Sequence, residues 1–242
     1  MSEPTVVNMW CGPRTVSTAL MYSWRQRSDT LVFDEPFYGI YLRHTDPGHP
    51  GRDEILAAMP DELPAILARI REDDDDRPVR FVKDIGHHLD ALPRSILDEF
   101  TNALLIRDPA RVVASLDATL HADFPISITG LPQQVAILDH ELAAGRRPVV
   151  VDAHELLADP PGVLEALCAA VGVPFDDAML HWPAGPKPED GVWAEHWYAS
   201  AHRSTGFGSP PSGEVVLDDH QRRLVDECRP LYERLRAHHV GR

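Results

Sequence analysis

Five short apolar segments recur along the chain, and residues with helical periodicity separate each from the next. The segments are Thr5–Trp10, Thr30–Asp34, Arg80–Asp84, Asn102–Arg107 and Pro148–Asp152. They show little alternation of polar and apolar residues, which is typical of strands buried on both faces of a parallel sheet. The pattern predicts an α/β fold in three layers, with a central parallel sheet of about five strands flanked by helices. A chain of 242 residues suits one such domain, so we expect a single domain over 1–242.

Helical periodicity marks six segments between and after these strands. They are Ser17–Arg27, Asp53–Ala58, Glu62–Arg71, Pro109–Thr119, Leu131–Ala144 and Pro161–Val171, the last with Gly172 as its C-cap. Two of them belong to a helical insertion around 38–72. Residues 181–239 are predicted to form a long loop, His181–Gly213, and then a helix with a kink at Pro230.

The balance of charges argues against several classes of partner. Asp and Glu outnumber Lys and Arg by 38 to 23, which gives a formal net charge of −15 and disfavours nucleic acid or an anionic membrane surface. No apolar run approaches the roughly 18 residues that a membrane span needs, and the N-terminus lacks the pattern of a signal peptide. The cysteines Cys11, Cys168 and Cys228 are widely spaced, unlike a disulfide framework or a zinc module. We therefore expect a cytoplasmic protein.

The first strand leads into a loop suited to an anion. The sequence there is Trp10-Cys-Gly-Pro-Arg-Thr-Val-Ser-Thr-Ala19, in which Gly12 allows a tight turn and a helix begins at Ser17 or Thr18. Backbone N–H groups at a helix N-terminus attract anions, and Arg14 adds a charge that fits phosphate or sulfate. The loop lacks the lysine of the kinase motif Gly-x-x-x-x-Gly-Lys-[Ser/Thr]. The alternative is an ordinary helix capped by Ser17 or Thr18, with Arg14 in solvent.

Arg107 ends the fourth strand, Asp108-Pro109 opens a helix, and Ser115 follows eight residues after the arginine. With Pro13-Arg14-Thr15-Val16-Ser17-Thr18, this motif resembles the P-loop-like sulfotransferases that use 3′-phosphoadenosine 5′-phosphosulfate (PAPS). Their first loop is Pro-[Lys/Arg]-Ser-Gly-Thr-[Thr/Ser], and their fourth strand ends in Arg-Asp-Pro with a serine eight residues after the arginine. The chain is most similar to bacterial enzymes of the carbohydrate or small-metabolite type. Val16 replaces the family's glycine and restricts the loop's backbone.

The resemblance implies roles for these residues. The 5′-phosphosulfate would be held by the first loop, through Arg14, Thr15, Val16, Ser17 and Thr18. Arg107 and Ser115 would hold the 3′-phosphate, and Lys187 in the late loop would reach the same group. Trp193 or Trp197 would stack on the adenine, unless these tryptophans pack the loop onto the core. The product left by PAPS would be 3′-phosphoadenosine 5′-phosphate (PAP).

Glu35 is the candidate general base, since related carbohydrate sulfotransferases use a glutamate for this task. It follows the second strand, held extended by Pro36, and we expect that strand beside the first. Asp34 precedes it, and because adjacent strand residues point to opposite faces, we expect only one carboxylate in the cleft. The alternative is an exposed carboxylate that caps the next helix.

Lys83 ends the third strand, and a lysine with a nearby histidine acts on sulfate and acceptor in better-known members of the family. The family pattern is Lys-x-His, whereas His87 and His88 come four and five residues after Lys83, so the match is partial and His88 is the stronger candidate. We expect no metal, because these histidines lack a third ligand at metal spacing. The acidic run Asp73–Asp76 cannot all face one ion, and we expect a solvated loop there.

The predicted function is therefore transfer of a sulfuryl group from PAPS to a hydroxyl of a small-molecule, sugar or lipid-linked acceptor. One alternative is a kinase-like transferase, with Asp84 or Asp152 holding magnesium, and another is a nucleotide-binding relative without turnover. Acceptor specificity is expected in Tyr38–Arg71, His121–Gly130 and the late loop, with Asp152, His154 and Glu155 as further candidates for acceptor contacts. A homodimer is expected from the family.

Overall fold

Five parallel strands form the centre of the structure, a computed structural model that describes residues 3–45, 50–72, 76–120 and 124–240. They are β1 (Thr5–Cys11), β2 (Thr30–Asp34), β3 (Val79–Ile85), β4 (Thr101–Ile106) and β5 (Val149–Asp152). Each predicted strand is confirmed to within one residue at either end, and so is the α/β fold with a central parallel sheet. Asp73–Asp75, parts of the two expected specificity insertions (46–49 and 121–123) and the chain ends lie outside the described residues.

The strands lie in the order β2-β3-β1-β4-β5. The expected neighbourhood of β1 and β2 is therefore wrong, because β3 returns from the helical insertion to fill the position between them. In this register Asp34 lies opposite Lys83, and Cys11 lies opposite both Ile85 and Leu105. The loop after β1 is thus flanked by the ends of β3 and β4, and the end of β2 adjoins only that of β3 in the described sheet.

Eleven α-helices occur in the described residues. They are α1 (Ser17–Arg25), α2 (Tyr38–His44), α3 (Arg52–Ala58), α4 (Leu63–Glu72), α5 (Pro109–Leu120), α6 (Leu131–Ala143), α7 (Ala153–Ala158), α8 (Pro160–Ala170), α9 (Ala194–Trp197), α10 (Ala199–Arg203) and α11 (Asp219–Arg236). The helix α11 continues through Pro230. Gly172, predicted as the C-cap of α8, follows the actual cap Val171 and has a positive φ of 78°, as is usual one position beyond the cap.

The helices cover both faces of the sheet, as the apolar strands predict. Val7, Met9 and Cys11 of β1 pack on the side of α1 and α8. Val6 and Trp10 point to the opposite face, toward α4, α6 and α11. This alternation produces the three layers and leaves the carboxyl ends of the strands as the place where loops converge.

The late segment, residues 181–213, is ordered and contains α9 and α10. Trp193 and Tyr198 are buried against Tyr38, Tyr41 and Ile55 of the insertion helices α2 and α3. We call this group of five residues the aromatic cap. It lies over the carboxyl end of β2, so the insertion and the late segment together cover the site described below.

Three glycines allow close backbone packing beneath the first loop. They are Gly12 after β1, Gly86 after β3 and Gly130 at the start of α6. A Cβ atom on Gly12 would lie 2.9 Å from the carbonyl oxygen of Thr129, and one on Gly86 would lie 3.0 Å from that of Gly130. Gly12 is not among the described residues with a positive φ, so it is needed for this approach rather than for the predicted tight turn.

Candidate active site

The loop between β1 and α1, residues 12–16, places the N-terminus of α1 at the carboxyl edge of the sheet. The N-cap of α1 is Val16, with φ 62° and ψ 22°, so the alternative of a helix capped by Ser17 or Thr18 is wrong. No side chain of the described residues caps this end by a hydrogen bond, and its backbone N–H groups remain available to an anion. Arg14 also has a positive φ, 61°. Val16 therefore adopts the left-handed conformation that glycine favours at this position.

The side chains of this loop divide between its support and its surface. The hydroxyl of Thr15 is buried and donates to the carbonyl oxygen of Gly12 at 2.6 Å. Thr15 therefore stabilises the turn, and its backbone N–H is the donor left for an anion. Ser17 is also buried, whereas Thr18 is half-buried. Arg14 is exposed and is the charged side chain of the loop.

The structure brings together the predicted anion ligands of β1 and β4. Arg14 Nε donates to Ser115 Oγ at 2.9 Å, and Arg107 Nη1 donates to the carbonyl oxygen of Arg14 at 2.6 Å. Burial, together with the positive charges of Arg111 and Arg14, lowers the pKa of Arg107. Such a cluster of like charges is stabilised by an anion. We call Arg14, Arg107 and Arg111 the arginine cluster.

Arg111 was missed in the sequence. It lies one helical turn after Arg107, and its Nη2 donates to the carbonyl oxygens of Pro211 and Gly213 at 2.9 and 2.8 Å. A second arginine in the first turn of the helix that follows Arg107 was the available signal. Arg111 thus ties the late segment to the start of α5.

A cavity of about 280 Å³ adjoins the arginine cluster at the ends of β4 and β5. Its walls include Arg107, Arg111, Asp152 and His154, and α11 closes it with Arg229 and Tyr232. The hydroxyl of Tyr232 donates to Asp152 at 2.6 Å. The residues at the end of β5 therefore face the arginine cluster, on the opposite side of the first loop from Glu35, which disfavours their predicted role in acceptor contacts.

A buried group of polar side chains occupies the ends of β2 and β3. Lys83 Nζ donates to Asp34 Oδ1 at 3.0 Å, to Glu35 Oε1, and to the hydroxyl of Tyr198 at 2.7 Å. The Tyr198 hydroxyl lies 2.8 Å from Asp34 Oδ2, and Trp193 Nε1 donates to it at 3.1 Å. We call Asp34, Glu35, Lys83 and Tyr198 the Lys83 cluster.

Both carboxylates enter the cluster, so the expectation that only one of Asp34 and Glu35 faces the cleft is wrong. Strand alternation fails because Glu35 lies one residue beyond β2 with a positive φ of 46°, which turns its side chain toward the same neighbour as that of Asp34. Glu35 is also 7% exposed, which excludes the alternative of an exposed cap. Tyr198 carried no signal in the sequence, since it lies 115 residues from Lys83.

Burial and charge act in opposite directions within the Lys83 cluster. Burial disfavours the charged ammonium, but Asp34 and Glu35 outweigh it and raise the pKa of Lys83 well above 10.5. Burial also raises the pKa values of Asp34 and Glu35, against the attraction of Lys83. All three N–H bonds of Lys83 point into the cluster, so here it serves as the counter-charge of the two carboxylates rather than facing the anion loop.

His88 lies next to Glu35, as its prediction as a catalytic residue requires. Its Nε2 is 3.9 Å from Glu35 Oε2, and its Nδ1 contacts Asp84 Oδ1. Burial raises the pKa of Asp84 well above 3.8. His88 also stacks on Tyr38, with ring centroids 5.0 Å apart. Asp84 thus orients the imidazole toward Glu35, a contact that the four-residue spacing of Asp84 and His88 could have suggested.

The late-loop candidates lie elsewhere. Lys187 Nζ donates to the carbonyl oxygen of Pro183 at 2.8 Å and to that of Gly185, and it lies 4.9 Å from the ring centroid of Tyr22. Its contacts are therefore with its own loop and α1 rather than with the arginine cluster. Trp193 is 3% exposed within the aromatic cap, so it packs the loop onto the core and does not present a face for adenine.

Comparison with known proteins identifies the class to which this fold and site belong. Residues 5–239 match the family model described as "Sulfotransferase domain". The chain belongs to this sulfotransferase family.

Two relatives from Arabidopsis thaliana align with almost the whole chain. Branched-chain-amino-acid aminotransferase-like protein 1 is 38% identical over 239 residues, 98% of this chain and 43% of that protein. Branched-chain-amino-acid aminotransferase-like protein 2 is 37% identical over 234 residues, 96% of this chain and 42% of that protein. The chain therefore spans less than half the length of either relative.

Solved structures share the fold at low sequence identity. The sulfotransferase domain from the Curacin biosynthetic pathway superposes with a TM-score of 0.57 at 14% identity, over 93% of this chain and 97% of that one. A sulfotransferase from Alicyclobacillus acidocaldarius superposes with a TM-score of 0.56 at 14% identity, over 98% of this chain and 96% of that one.

In the described residues, no helix is both long and apolar enough to cross a membrane.

Proposed function

We propose that the protein transfers a sulfuryl group from PAPS to a hydroxyl group of a small-molecule acceptor. The observation that carries this proposal is the joined group Arg14, Ser115 and Arg107, beside the uncapped N-terminus of α1. A donor with anionic groups at both its 5′ and 3′ positions requires two adjacent anion sites, and this arrangement supplies them.

The two anion sites would share the donor as follows. The N–H groups at the start of α1, with Arg14, would hold the 5′-phosphosulfate, and Arg107 with Ser115 would hold the 3′-phosphate. The nucleoside would lie in the cavity beside Arg107, which has a volume of about 280 Å³. Trp193 is buried and has no free face on which the adenine could stack. The residues present therefore fit PAPS, with Arg111 as an additional cation toward the 3′-phosphate.

Glu35 would act on the acceptor side of the same edge. Its carboxylate takes the proton of the acceptor hydroxyl as the acceptor oxygen bonds to sulfur and the bond from sulfur to the phosphate oxygen breaks. Arg14 and the positive end of α1 stabilise the charge that develops on the departing phosphate. Lys83 holds Glu35 in place, and the aromatic cap covers it, so the cap residues would select the acceptor.

The test compares the binding of PAP, AMP and ATP–Mg²⁺ by calorimetry and thermal shift, because a ligand of the folded state raises its apparent stability. We expect tight binding of PAP alone and a loss of about 10- to 100-fold in Arg107→Ala, the usual effect of removing a charge-assisted hydrogen bond. The matched control is Arg146→Ala, whose side chain pairs with Glu141 and Asp98 away from the site.

The other outcomes separate the alternatives. A preference for ATP–Mg²⁺ would indicate a kinase-like transferase. PAP binding without release of PAP from PAPS, across a panel of sugars, phenols and aliphatic alcohols, would indicate a binding protein without turnover. Either result would contradict the proposed function.

A further inference from the structure

The Lys83 cluster has an unbalanced charge. Asp34 and Glu35 together carry two negative charges when ionised, and Lys83 supplies one positive charge, all within a region from which solvent is excluded. A buried carboxylate needs hydrogen-bond donors to remain ionised. Tyr198, which reaches the cluster from between α9 and α10, supplies the additional donor.

The directions of the hydrogen bonds follow from the number of protons. Lys83 gives one N–H to each of Asp34, Glu35 and Tyr198, which uses all three. The Tyr198 hydroxyl accepts from Lys83 and from Trp193 Nε1. Its own proton goes to Asp34, whose oxygens lie 2.9 and 2.8 Å away, closer than Glu35 Oε1 at 3.4 Å. Both acceptor positions and the single proton of this hydroxyl are therefore committed.

The two carboxylates differ as a result. Asp34 accepts from Lys83, from Tyr198 and from the backbone N–H of Gly191 at 3.3 Å. Glu35 uses Oε1 for Lys83, and its Oε2 faces His88 at 3.9 Å. Asp34 is thus held as the counter-charge of Lys83, and Glu35 Oε2 is the oxygen positioned to take a proton.

We propose that Tyr198 is a positioning residue for sulfuryl transfer: it fixes Asp34 and Lys83 through its hydroxyl and so keeps Glu35 in the orientation of a base. This inference rests on the proposed function. It also assigns the late segment a part in catalysis, since Tyr198 and Trp193 belong to that segment and Asp34 accepts a third bond from it at Gly191.

The test is Tyr198→Phe, which removes the hydroxyl and keeps the ring in the aromatic cap. We expect kcat for PAPS hydrolysis, with water as the acceptor, to fall by about 10- to 100-fold, the range for a displaced reacting group. The KM for PAPS and the Kd for PAP should stay within about twofold, since neither anion site is altered. An unchanged or raised kcat in a folded variant would overturn the proposal, as would a parallel loss of PAP affinity.

The matched control is Tyr22→Phe. Tyr22 is also fully buried and also donates to a carboxylate of the late segment, with its hydroxyl 2.8 Å from Asp190. A merely structural effect of losing a buried tyrosine hydroxyl would appear in both variants, whereas loss of kcat is expected in Tyr198→Phe alone. If Tyr198→Phe does not fold, Trp193→Phe removes the donor to the Tyr198 hydroxyl together with part of a buried ring. It should show a smaller loss of kcat in the same direction.

A second readout separates this inference from the proposed function. Labelling of Lys83 by an amine-directed N-hydroxysuccinimide ester, followed by mass spectrometry, needs no PAPS. Because the Lys83 side chain is 1% exposed, the reagent reaches it only when the cluster opens, and the labelling rate reports how readily it opens. We expect faster labelling in Tyr198→Phe than in the wild type or Tyr22→Phe, because one of the three acceptors that hold the ammonium is lost. If the wild type does not bind PAP, the proposed function fails. Equal labelling of all three proteins would show that Tyr198 does not fix Lys83, whether or not PAP binds.

Discussion

The non-glycine residues with a positive φ in the described chain are Arg14, Val16 and Glu35. An L-residue in the left-handed conformation costs about 1–2 kcal/mol, and a β-branched one such as Val16 is a marked exception. All three lie at the candidate site, two in the anion loop and one in the Lys83 cluster. Strained backbone persists where the surrounding structure holds it, and it concentrates at functional positions.

At the scale of single residues, Glu35→Gln tests the assignment of the base. The amide keeps the size of the side chain but cannot take a proton, so release of PAP from PAPS should fall by about 10²- to 10⁴-fold. The Kd for PAP, measured by calorimetry, should change little, because the arginine cluster is untouched. Glu195→Gln, on the exposed side of α9, is the control.

Two results would contradict this assignment. Unchanged PAP release would remove Glu35 from the chemistry. A loss of PAP affinity equal to the loss of turnover would place Glu35 in binding instead.

The ionisation of Asp84 should make folding depend on pH. Burial raises its pKa well above 3.8, so its proton is held more tightly in the folded than in the unfolded protein. Its contribution to the free energy of unfolding is then fully present below about pH 4 and is lost as the pH rises toward the folded-state pKa. Asp84→Asn cannot ionise, so its stability relative to the wild type should increase as the pH rises above about 4.

Urea unfolding across this pH range measures the difference. Asp226→Asn, an exposed carboxylate on α11, is the control for the loss of a surface charge. A difference between Asp84→Asn and the wild type that does not vary with pH would show that this carboxyl does not couple ionisation to folding.

The sequence motifs predict part of the candidate site, whereas the residues that join it through tertiary contacts belong to no motif. Arg14 was predicted from its place in the loop after the first strand, and Arg107 and Ser115 from the resemblance to the sulfotransferases. The structure joins the three residues. The expectation that only one of Asp34 and Glu35 faces the cleft was wrong because Glu35, the residue after β2, has a positive φ, which its residue type does not signal. Tyr198 was missed because a tyrosine 163 residues away from Glu35 carries no local pattern.

At the scale of elements, the apolar strand runs and helix periodicities predicted five strands and most of the helices, because they depend on local patterns of burial. The order of the strands was not predictable in the same way. Whether β2 or β3 lies beside β1 depends on the path of the helical insertion, and Gly12, Gly86 and Gly130 show how closely the resulting neighbours pack.

Gly12→Ala tests this packing beneath the anion loop. Its Cβ would lie 2.9 Å from the Thr129 carbonyl oxygen, so a backbone segment must shift, and we expect a loss of about 1–3 kcal/mol in the free energy of unfolding. The same shift should weaken PAP binding, because Arg14 follows two residues later. Chemical denaturation and calorimetry measure the two effects.

Gly208→Ala is the matched control. A Cβ at Gly208 meets nothing within 4 Å, so stability should stay within about 0.5 kcal/mol of the wild type. Equal stability of the two variants would show that the contact at Gly12 does not constrain the loop.

At the scale of the whole molecule, the carboxyl edge of the sheet separates two chemical tasks. The proposed base lies at β2 and β3, the anion loop lies in the middle after β1, and the arginine cluster lies at β4. The net charge of the chain is −15, so this cluster is a local positive region in a negatively charged molecule.

Added salt should therefore act on folding and on binding in opposite directions. Raising NaCl from about 50 mM to about 500 mM screens the mutual repulsion of the acidic surface and should raise Tm. The same screening weakens the attraction of PAP to the arginine cluster and should raise its Kd. A Kd for PAP that is independent of salt would contradict the anion site, and thermal shift with and without PAP measures both effects on one sample.

The contact between Tyr198 and Glu35 has a consequence for synthesis of the chain. A ribosome adds about 5–20 residues per second, so the 163 residues that separate the two side chains take about 10–30 s to translate. During that interval the sheet and the anion loop can form, while Asp34 and Lys83 lack the hydroxyl that fixes them. A nascent chain that ends before Tyr198 therefore lacks the hydroxyl of the Lys83 cluster and also α11, which closes the cavity beside Arg107, so both parts of the candidate site are completed late in synthesis.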